Sequence, residues 1–428
     1  MNGELELTVD RAVAGGRMLG RHEGRVVFVA GAIPGERVRV RVTRSARHSL
    51  WADTIEVLEA SPDRRPPKCD PACGGLAFVH IAYDRQLALK GQILADAFRR
   101  LARLDIEAPG VLASPEAGYR LRARLHVRDG RAGFFLEGTH TLCDAGATEQ
   151  LSGSAVQSAQ AVVTALGARH GDCDAVVISE NVPGGERVMH LEPRAAARLD
   201  DLGDGLRALV DSSDRVATGI TTIARGKLVA LAGAVTVTDT AQTLFGREVP
   251  SMAGASWRRR PTSFFQGSRF LTPTLLSRVL ELARGDRVAD LYAGVGLFAV
   301  GLAARGSQVL AAEGDASSLE DLSANLAPWG AQARVWRGAI EELLWRPPMP
   351  PPDAVIVDPP RTGMSAEALD HLAAWGPSLV VYVSCDPATL ARDAARLSQQ
   401  GLRLLSLEAL DLFPNTPHVE ALAAFARP

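Results

Sequence analysis

Residues 378–393 read SLVVYVSCDPATLARD, and much of the chain can be placed from them. An apolar, β-branched run from Leu379 to Val383 breaks off at Ser384-Cys385-Asp386-Pro387, and helical sequence begins at Ala388. A short unbroken run with such a stop fits a strand covered on both faces of a parallel sheet. Pro387 fits a first helical position, where an N–H would have no partner in any case. Cys385 then lies on the turn at the carboxyl end of a strand, the edge where open α/β sheets hold their ligands. A thiol there is a candidate nucleophile, although for a cysteine taken alone the small buried core residue is the commoner reading.

Four strand-like runs precede it: RVADLY (287–292), QVLAAE (308–313), ARVWRG (333–338) and DAVIVD (353–358), with helical sequence between most of them and the Pro-rich RPPMPPP (346–352) before the fourth. This alternation predicts an α/β domain over 256–428 with a doubly wound, Rossmann-like sheet. Nearer the amino terminus the chain reads as β-rich. Residues 1–58 alternate short β-branched runs with Gly and Pro turns, which predicts a small OB-like barrel. There Val38, Val40 and Val42 alternate with Arg37, Arg39 and Arg41. That gives an apolar face and an arginine face, either an oligonucleotide platform or an ordinary solvated surface. Residues 59–118 hold a Pro-rich linker, Cys69 and Cys73, and a helical period over 83–104 with a basic face. Residues 119–255 read as a central β-rich domain, in which Arg120, Arg122 and Arg124 alternate with Leu121, Ala123 and Leu125. Trp257-Arg258-Arg259-Arg260-Pro261 reads as a surface turn or a nucleic-acid contact.

The 428 residues are 46% hydrophobic and 22% charged, with a formal net charge of −2. These values suit a globular protein and give no global basic signature, so any nucleic-acid contact would come from local patches. No apolar run approaches the ~20 residues of a membrane-spanning helix. The start, MNGELELTVDRA, lacks a secretory signal, and five cysteines in this length suggest no disulfide framework, so a reducing, cytoplasmic setting is expected.

The other motifs fall on the same sheet edge. Asp290-Leu291-Tyr292-Ala293-Gly294-Val295-Gly296 follows the first α/β strand, where glycines let a backbone approach a ligand. Glu313 ends the next strand and is placed to accept hydrogen bonds from ribose hydroxyls. On this evidence the cofactor is a dinucleotide or S-adenosylmethionine. Asp358-Pro359-Pro360-Arg361-Thr362-Gly363 ends the fourth strand, and Phe413 to Glu420 (FPNTPHVE) brings a carboxylate near the chain end.

In this order SFFQ (263–266), DLYAGVGLF (290–298), AAEGD (311–315), DPPRTG (358–363), SCDPATLARD (384–393) and LFPNTPHVE (412–420) closely resemble the RNA uracil-5-methyltransferase family, which acts on tRNA and 23S rRNA. GGRMLGRHEGRVVFVAGAIPGERV resembles that family's amino-terminal TRAM barrel, and CGGLAFVHIAYDRQLALK (73–90) its cluster loop and following helix. The resemblance implies S-adenosylmethionine as cofactor, contacted by Gln266, Tyr292, Glu313 and Asp358. It implies Cys385 as nucleophile and Glu420 as general base. RNA would be the partner, with 23S rRNA favoured over tRNA, and a monomer is the default. Conjugate addition of a thiolate to carbon 6 of uracil makes carbon 5 nucleophilic, which is why this chemistry needs a cysteine. The thiol's pKa must fall for that, and the helix start after Pro387 is the expected cause.

The chain departs from the family at the cluster loop. Relatives carry four cysteines there, whereas Leu76 and Thr148 stand at two of the positions and Cys143 lies out of register. No iron–sulfur cluster and no metal site are therefore expected. Ser268 stands where an Asn often follows SFFQ. Rival readings are an RNA cytosine-5-methyltransferase, a nicotinamide-dependent dehydrogenase and a non-catalytic RNA-binding protein. The first would place a second cysteine where Pro-Pro-Arg stands, and the last two leave Cys385 and Glu420 without a task.

Overall fold

A computed structural model of the chain describes residues 3–195, 197–212 and 216–427. Strands β1 (Glu4–Ala12), β2 (Met18–His22), β3 (Arg25–Ala30), β4 (Arg37–Ser45) and β5 (Ser49–Glu59) close into a barrel in the order β1-β2-β3-β5-β4. Val27, Val29, Val38, Val40 and Leu50 fill it. The alternation along β4 sends its valines inward and its arginines outward, as expected. Those arginines are not free. Arg37 pairs with Glu6 and Glu59, Arg39 with Glu6 and Glu56, and Arg41 with Glu4. Register explains this, because β1 and β5 flank β4 and set glutamates beside its arginines. The face read as either a nucleic-acid platform or an ordinary solvated surface is a neutralised ladder.

The segment 59–118, read as a linker, a cluster loop and a helix, is built into the fold. Its helix Tyr83–Ala97 buries Leu94, and with Phe98 this joins the cluster under the carboxyl-terminal sheet. Its short strand β6 (Val111–Leu112) becomes that sheet's edge. The central domain is a seven-stranded sheet of β7 (Arg122–Arg128), β8 (Arg131–Phe135), β9 (Leu142–Cys143), β10 (Cys173–Glu180), β11 (Arg187–Pro193), β12 (Gly219–Ala224) and β13 (Lys227–Gly233), ordered β13-β12-β11-β10-β7-β8-β9. Helix Gly153–Ala165 packs Ala155, Ala159 and Val162 into the same core as Leu125 and Val176.

Two expectations are corrected here. Cys73 and Cys143 form a disulfide, so one pair of the five cysteines is bridged. Cys69 stays free, Leu76 is buried, and the Thr148 hydroxyl donates to the Ala145 carbonyl at 2.7 Å. The Trp257 cluster is no surface turn either. It lies on β15 (Ser256–Arg259), paired with β14 (Val237–Thr240). Trp257 is fully buried and donates its indole N–H to the Leu297 carbonyl, while buried Arg259 pairs with Asp239 at 2.7 Å. A buried guanidinium is tolerable only with such a partner.

The carboxyl-terminal sheet contains β16 (Arg287–Leu291), β17 (Gln308–Glu313), β18 (Ala333–Arg337), β19 (Ala354–Val357), β20 (Leu379–Ser384), β21 (Arg403–Leu410) and β22 (Glu420–Ala426). Their order is β18-β17-β16-β19-β20-β22-β21, with β6 outermost. Strands β16 to β20 are parallel, and β22 runs antiparallel to β20. The order reverses between β16 and β19, which makes a crevice at their carboxyl ends. The five strand-like runs of the sequence match these five parallel strands.

Candidate active site

The crevice collects the residues singled out from the sequence. Tyr292 and Gly294 follow β16, Glu313 ends β17, Asp358 follows β19 and Cys385 follows β20. Because β22 is antiparallel, its first residue lies at this same rim. Ser384 pairs with Ala421, so Cys385 and Glu420 come next to each other across the two strands. Gln266 reaches in from the segment before helix Thr272–Leu282, and its side-chain amide donates to Asp358 at 3.0 Å. Gln266, Tyr292, Glu313, Asp358, Cys385 and Glu420 all line one cleft of about 800 Å³, the size of a small-molecule site.

The turn after β16 is shaped for close approach. Gly294 and Gly296 have φ of 57° and 91°, and Tyr292 holds a left-handed φ of 61° that non-glycine residues seldom adopt. A Cβ on Gly296 would come within 2.8 Å of Leu322. Glu313 locks this turn: one oxygen accepts from Gly294 N–H at 2.8 Å, the other from Gly314 and Asp315 N–H at 2.7 Å. A carboxylate offers about four acceptor positions, so one remains, on the oxygen facing Gly294, for a ribose hydroxyl. Phe264 exposes 57% of its surface beside Gly294 and gives the cleft an aromatic face. A flexible glycine cradle, an acidic strand end and an aromatic wall fit an adenosyl group. Asp290, the head of the motif, does not line the cleft. It is buried, and it accepts from Ala299 N–H at 2.9 Å, which secures the start of helix Leu297–Ala304.

The electrostatics differ from expectation. Burial and the charge of Glu420 push the Cys385 thiol up to about 11, with nearby Arg361 opposing. At the helix start expected to lower it, Asp386 caps the end, accepting from Ala388 and Thr389 N–H at 2.9 and 2.8 Å. The cap places a negative charge where the helix dipole offered a positive one. Burial likewise holds the Asp358 and Glu420 carboxyls above the usual range. His418 is pulled down to about 4 by burial and by surrounding cations, so its imidazole is neutral.

Sequence reasoning missed the central domain's share of the cleft. Arg120 and Arg122 line it, and among the described residues neither forms an ion pair. Arg120 sits 5.6 Å from the Phe413 ring and 5.9 Å from the Phe134 ring, with its Nε buried and unpartnered. The signal was the Arg/aliphatic alternation, which shows a face but not what it faces. The chain before Glu420 is held from outside its own domain. Fully buried Lys90 pairs with Asp411 at 2.5 Å, the Gln86 side chain accepts from Asn415 N–H, and the Tyr119 hydroxyl donates to the Pro414 carbonyl. Gly267 lets the Phe413 ring close in, since a Cβ there would meet it at 2.9 Å.

Known proteins share this organisation. The family described as tRNA (uracil-5-)-methyltransferase matches residues 352–427, and the TRAM domain matches residues 2–55. An RNA methyltransferase of Streptomyces avermitilis, named as uncharacterized, is 32% identical over 99% of this chain and 98% of its own. The 23S rRNA (uracil(1939)-C(5))-methyltransferase of Pseudomonas fluorescens is 33% identical over 98% of this chain and 93% of its own. The solved Pyrococcus abyssi tRNA (uracil-54, C5)-methyltransferase, in complex with S-adenosyl-L-homocysteine, superposes with a TM-score of 0.74 at 23% identity, covering 98% of this chain and 99% of that one. That last likeness speaks for the fold.

Proposed function

Because the chain belongs to the RNA uracil-5-methyltransferase family, whose members depend on S-adenosylmethionine, we propose that it methylates carbon 5 of a uridine through a covalent bond between Cys385 and carbon 6. What supports this reading is the meeting of Cys385 and Glu420 across adjacent strands, in a cleft whose other end has the glycine turn and Glu313. Bound S-adenosylmethionine supplies an electrophilic methyl group, and Gln266, Tyr292, Glu313 and Asp358 are the residues that would hold it.

The Cys385 thiol gives up its proton to solvent, which Arg361 favours against burial, and the thiolate adds to carbon 6 of the extruded uracil, so that the ring becomes an enolate with a nucleophilic carbon 5. Once carbon 5 carries the methyl group it still bears its proton. The Glu420 carboxylate removes that proton, and the carbon–sulfur bond breaks to return the thiolate. The raised pKa of Glu420 makes it a stronger base. Arg361 favours the ionised forms of both groups. Arg120 and Arg122 are suited to the phosphates of the extruded nucleotide, and neutral His418 to a uracil edge.

An RNA carrying 5-fluorouridine tests the chemistry. Fluorine cannot leave as a proton, so the methylated adduct should persist, migrate slowly on a denaturing gel and map to Cys385. Cys385→Ala should give none, and Glu420→Gln should accumulate adduct on ordinary RNA. Turnover by Cys385→Ala would end the covalent reading. We place the target in 23S rRNA, because relatives matching the whole chain carry that activity in their names. Mapping 5-methyluridine in cytoplasmic RNA from cells lacking the protein checks this, and a missing tRNA methylation would reassign it.

A further inference from the structure

If the barrel meets RNA, its arginine ladder is poorly suited to the contact, since each guanidinium there already has a carboxylate. A different outward face is not neutralised. Leu19 on β2 pairs with Phe28 on β3, Phe28 with Trp51 on β5, and Trp51 with Arg44 on β4. Residues directly opposite on neighbouring strands share a face, so these four form one row across the barrel. The Phe28 and Trp51 rings stack with centroids 5.5 Å apart, and the Arg44 guanidinium lies 4.5 Å from the Trp51 ring. Both rings are half-buried and Arg44 is exposed. One strand position away, Arg21 is exposed, and the β4–β5 turn exposes Arg47 and His48. Among the described residues Arg21, Arg44 and Arg47 form no ion pair; Glu23 lies in the β2–β3 turn, and Asp53, two residues from Trp51 on the same side of β5, is already paired with Arg17 at 3.3 Å.

We propose that this row is where the barrel binds a single-stranded segment of the substrate RNA, a base stacking on the Arg44 guanidinium and phosphates meeting Arg21 and Arg47. The reading of the substrate as RNA is its premise. Bases stack on aromatic rings and on arginine planes alike, and unpaired guanidinium groups attract the backbone. The barrel also touches the segment that leads to Glu420. Gly16, in the β1–β2 turn, packs against Pro417, three residues before Glu420. Leu19 stands only about 10 Å further along the chain at extended spacing. In this proposal a strand that leaves the cleft past Pro417 runs onto the β2 end of the row.

The test uses the full-length protein and a short fluorescein-labelled single-stranded RNA, read by anisotropy across a salt series. Arg44→Gln should weaken binding about fivefold or more, and Arg44→Lys should restore only part of it, because lysine keeps the charge without the plane. Arg21→Gln with Arg47→Gln should lower the salt slope by about 2. Arg39→Gln and Arg41→Gln should bind as the unchanged protein does. Trp51→Ala should weaken binding about tenfold. If its melting temperature falls, the exposed Arg44 variants decide alone. Unchanged binding by Arg44→Gln, or a larger loss in the ladder variants, overturns the proposal. The 5-fluorouridine adduct at Cys385 separates the two readings: adduct formation with an unaffected Arg44→Gln sinks this inference alone, whereas absence of both binding and adduct sinks the proposed function with it.

Discussion

The barrel surface and the seam between the central and carboxyl-terminal domains use the same sequence pattern to opposite ends. Arg37, Arg39 and Arg41 alternate with valines, and Arg120, Arg122 and Arg124 alternate with Leu121, Ala123 and Leu125. Both alternations are real in the structure, with the aliphatic side inward. On the barrel each of these three arginines meets a glutamate on a flanking strand, in water. At the seam only Arg124 does so, with Asp174 and Glu192. Arg120 is enclosed between two rings with no carboxylate, and Arg259 nearby is enclosed with one. An exposed pair contributes little whichever way it is arranged. A guanidinium that is buried without a partner costs stability, so its presence points to a ligand.

The contrast predicts effects of very different size. Asp239→Ala strands the buried Arg259 charge and should cost about 3–5 kcal/mol, read as a lower urea midpoint. A wild-type midpoint would mean that water reaches Arg259. Arg120→Met removes a half-buried charge that has no carboxylate beside it, while keeping its bulk. Methylation of RNA should fall about ten- to a hundredfold, while the urea midpoint stays or rises. A large drop in midpoint with normal activity would make Arg120 structural.

Acid separates the interior from the ladder. Burial pulls His80, His190 and His418 from 6.5 down to about 4. Between those two values the unfolded chain binds the protons and the folded chain does not, so stability should fall as pH drops through that window. Glu6, on the ladder, is held below its ordinary value by Arg39 and Arg37, so its contribution is lost only at still lower pH. Urea unfolding from neutral pH down to 4 reads this, and His190→Asn should flatten the slope. The smallest effect is expected from Arg39→Gln, a urea midpoint barely moved from the unchanged protein's and still less so in high salt.

Much of the site could be read from the chain because its signals are local. An apolar run that stops at Ser384-Cys385-Asp386-Pro387 fixes a strand end, and parallel strands joined by helices must all end at one edge. Tyr292, Glu313, Asp358 and Cys385 were therefore placed on one rim by sequence alone, and the motif resemblance added Gln266 and Glu420. The protonation of Cys385 could not be read the same way. It depends on the depth of burial, on Glu420 arriving by an antiparallel strand, and on Arg361 opposing both.

What the sequence determined by itself is the order of strands and helices, the inward face of each strand and the chemistry available at the strand ends, since these follow from the period of the chain and from Gly and Pro. Only the tertiary structure decided which arginines are neutralised, that Cys73 meets Cys143, that Lys90 and Gln86 hold the segment before Glu420, and that Arg120 opens into the cleft. Each of these is a meeting of residues far apart in the chain. A periodic pattern states which way a side chain points but not what stands opposite it.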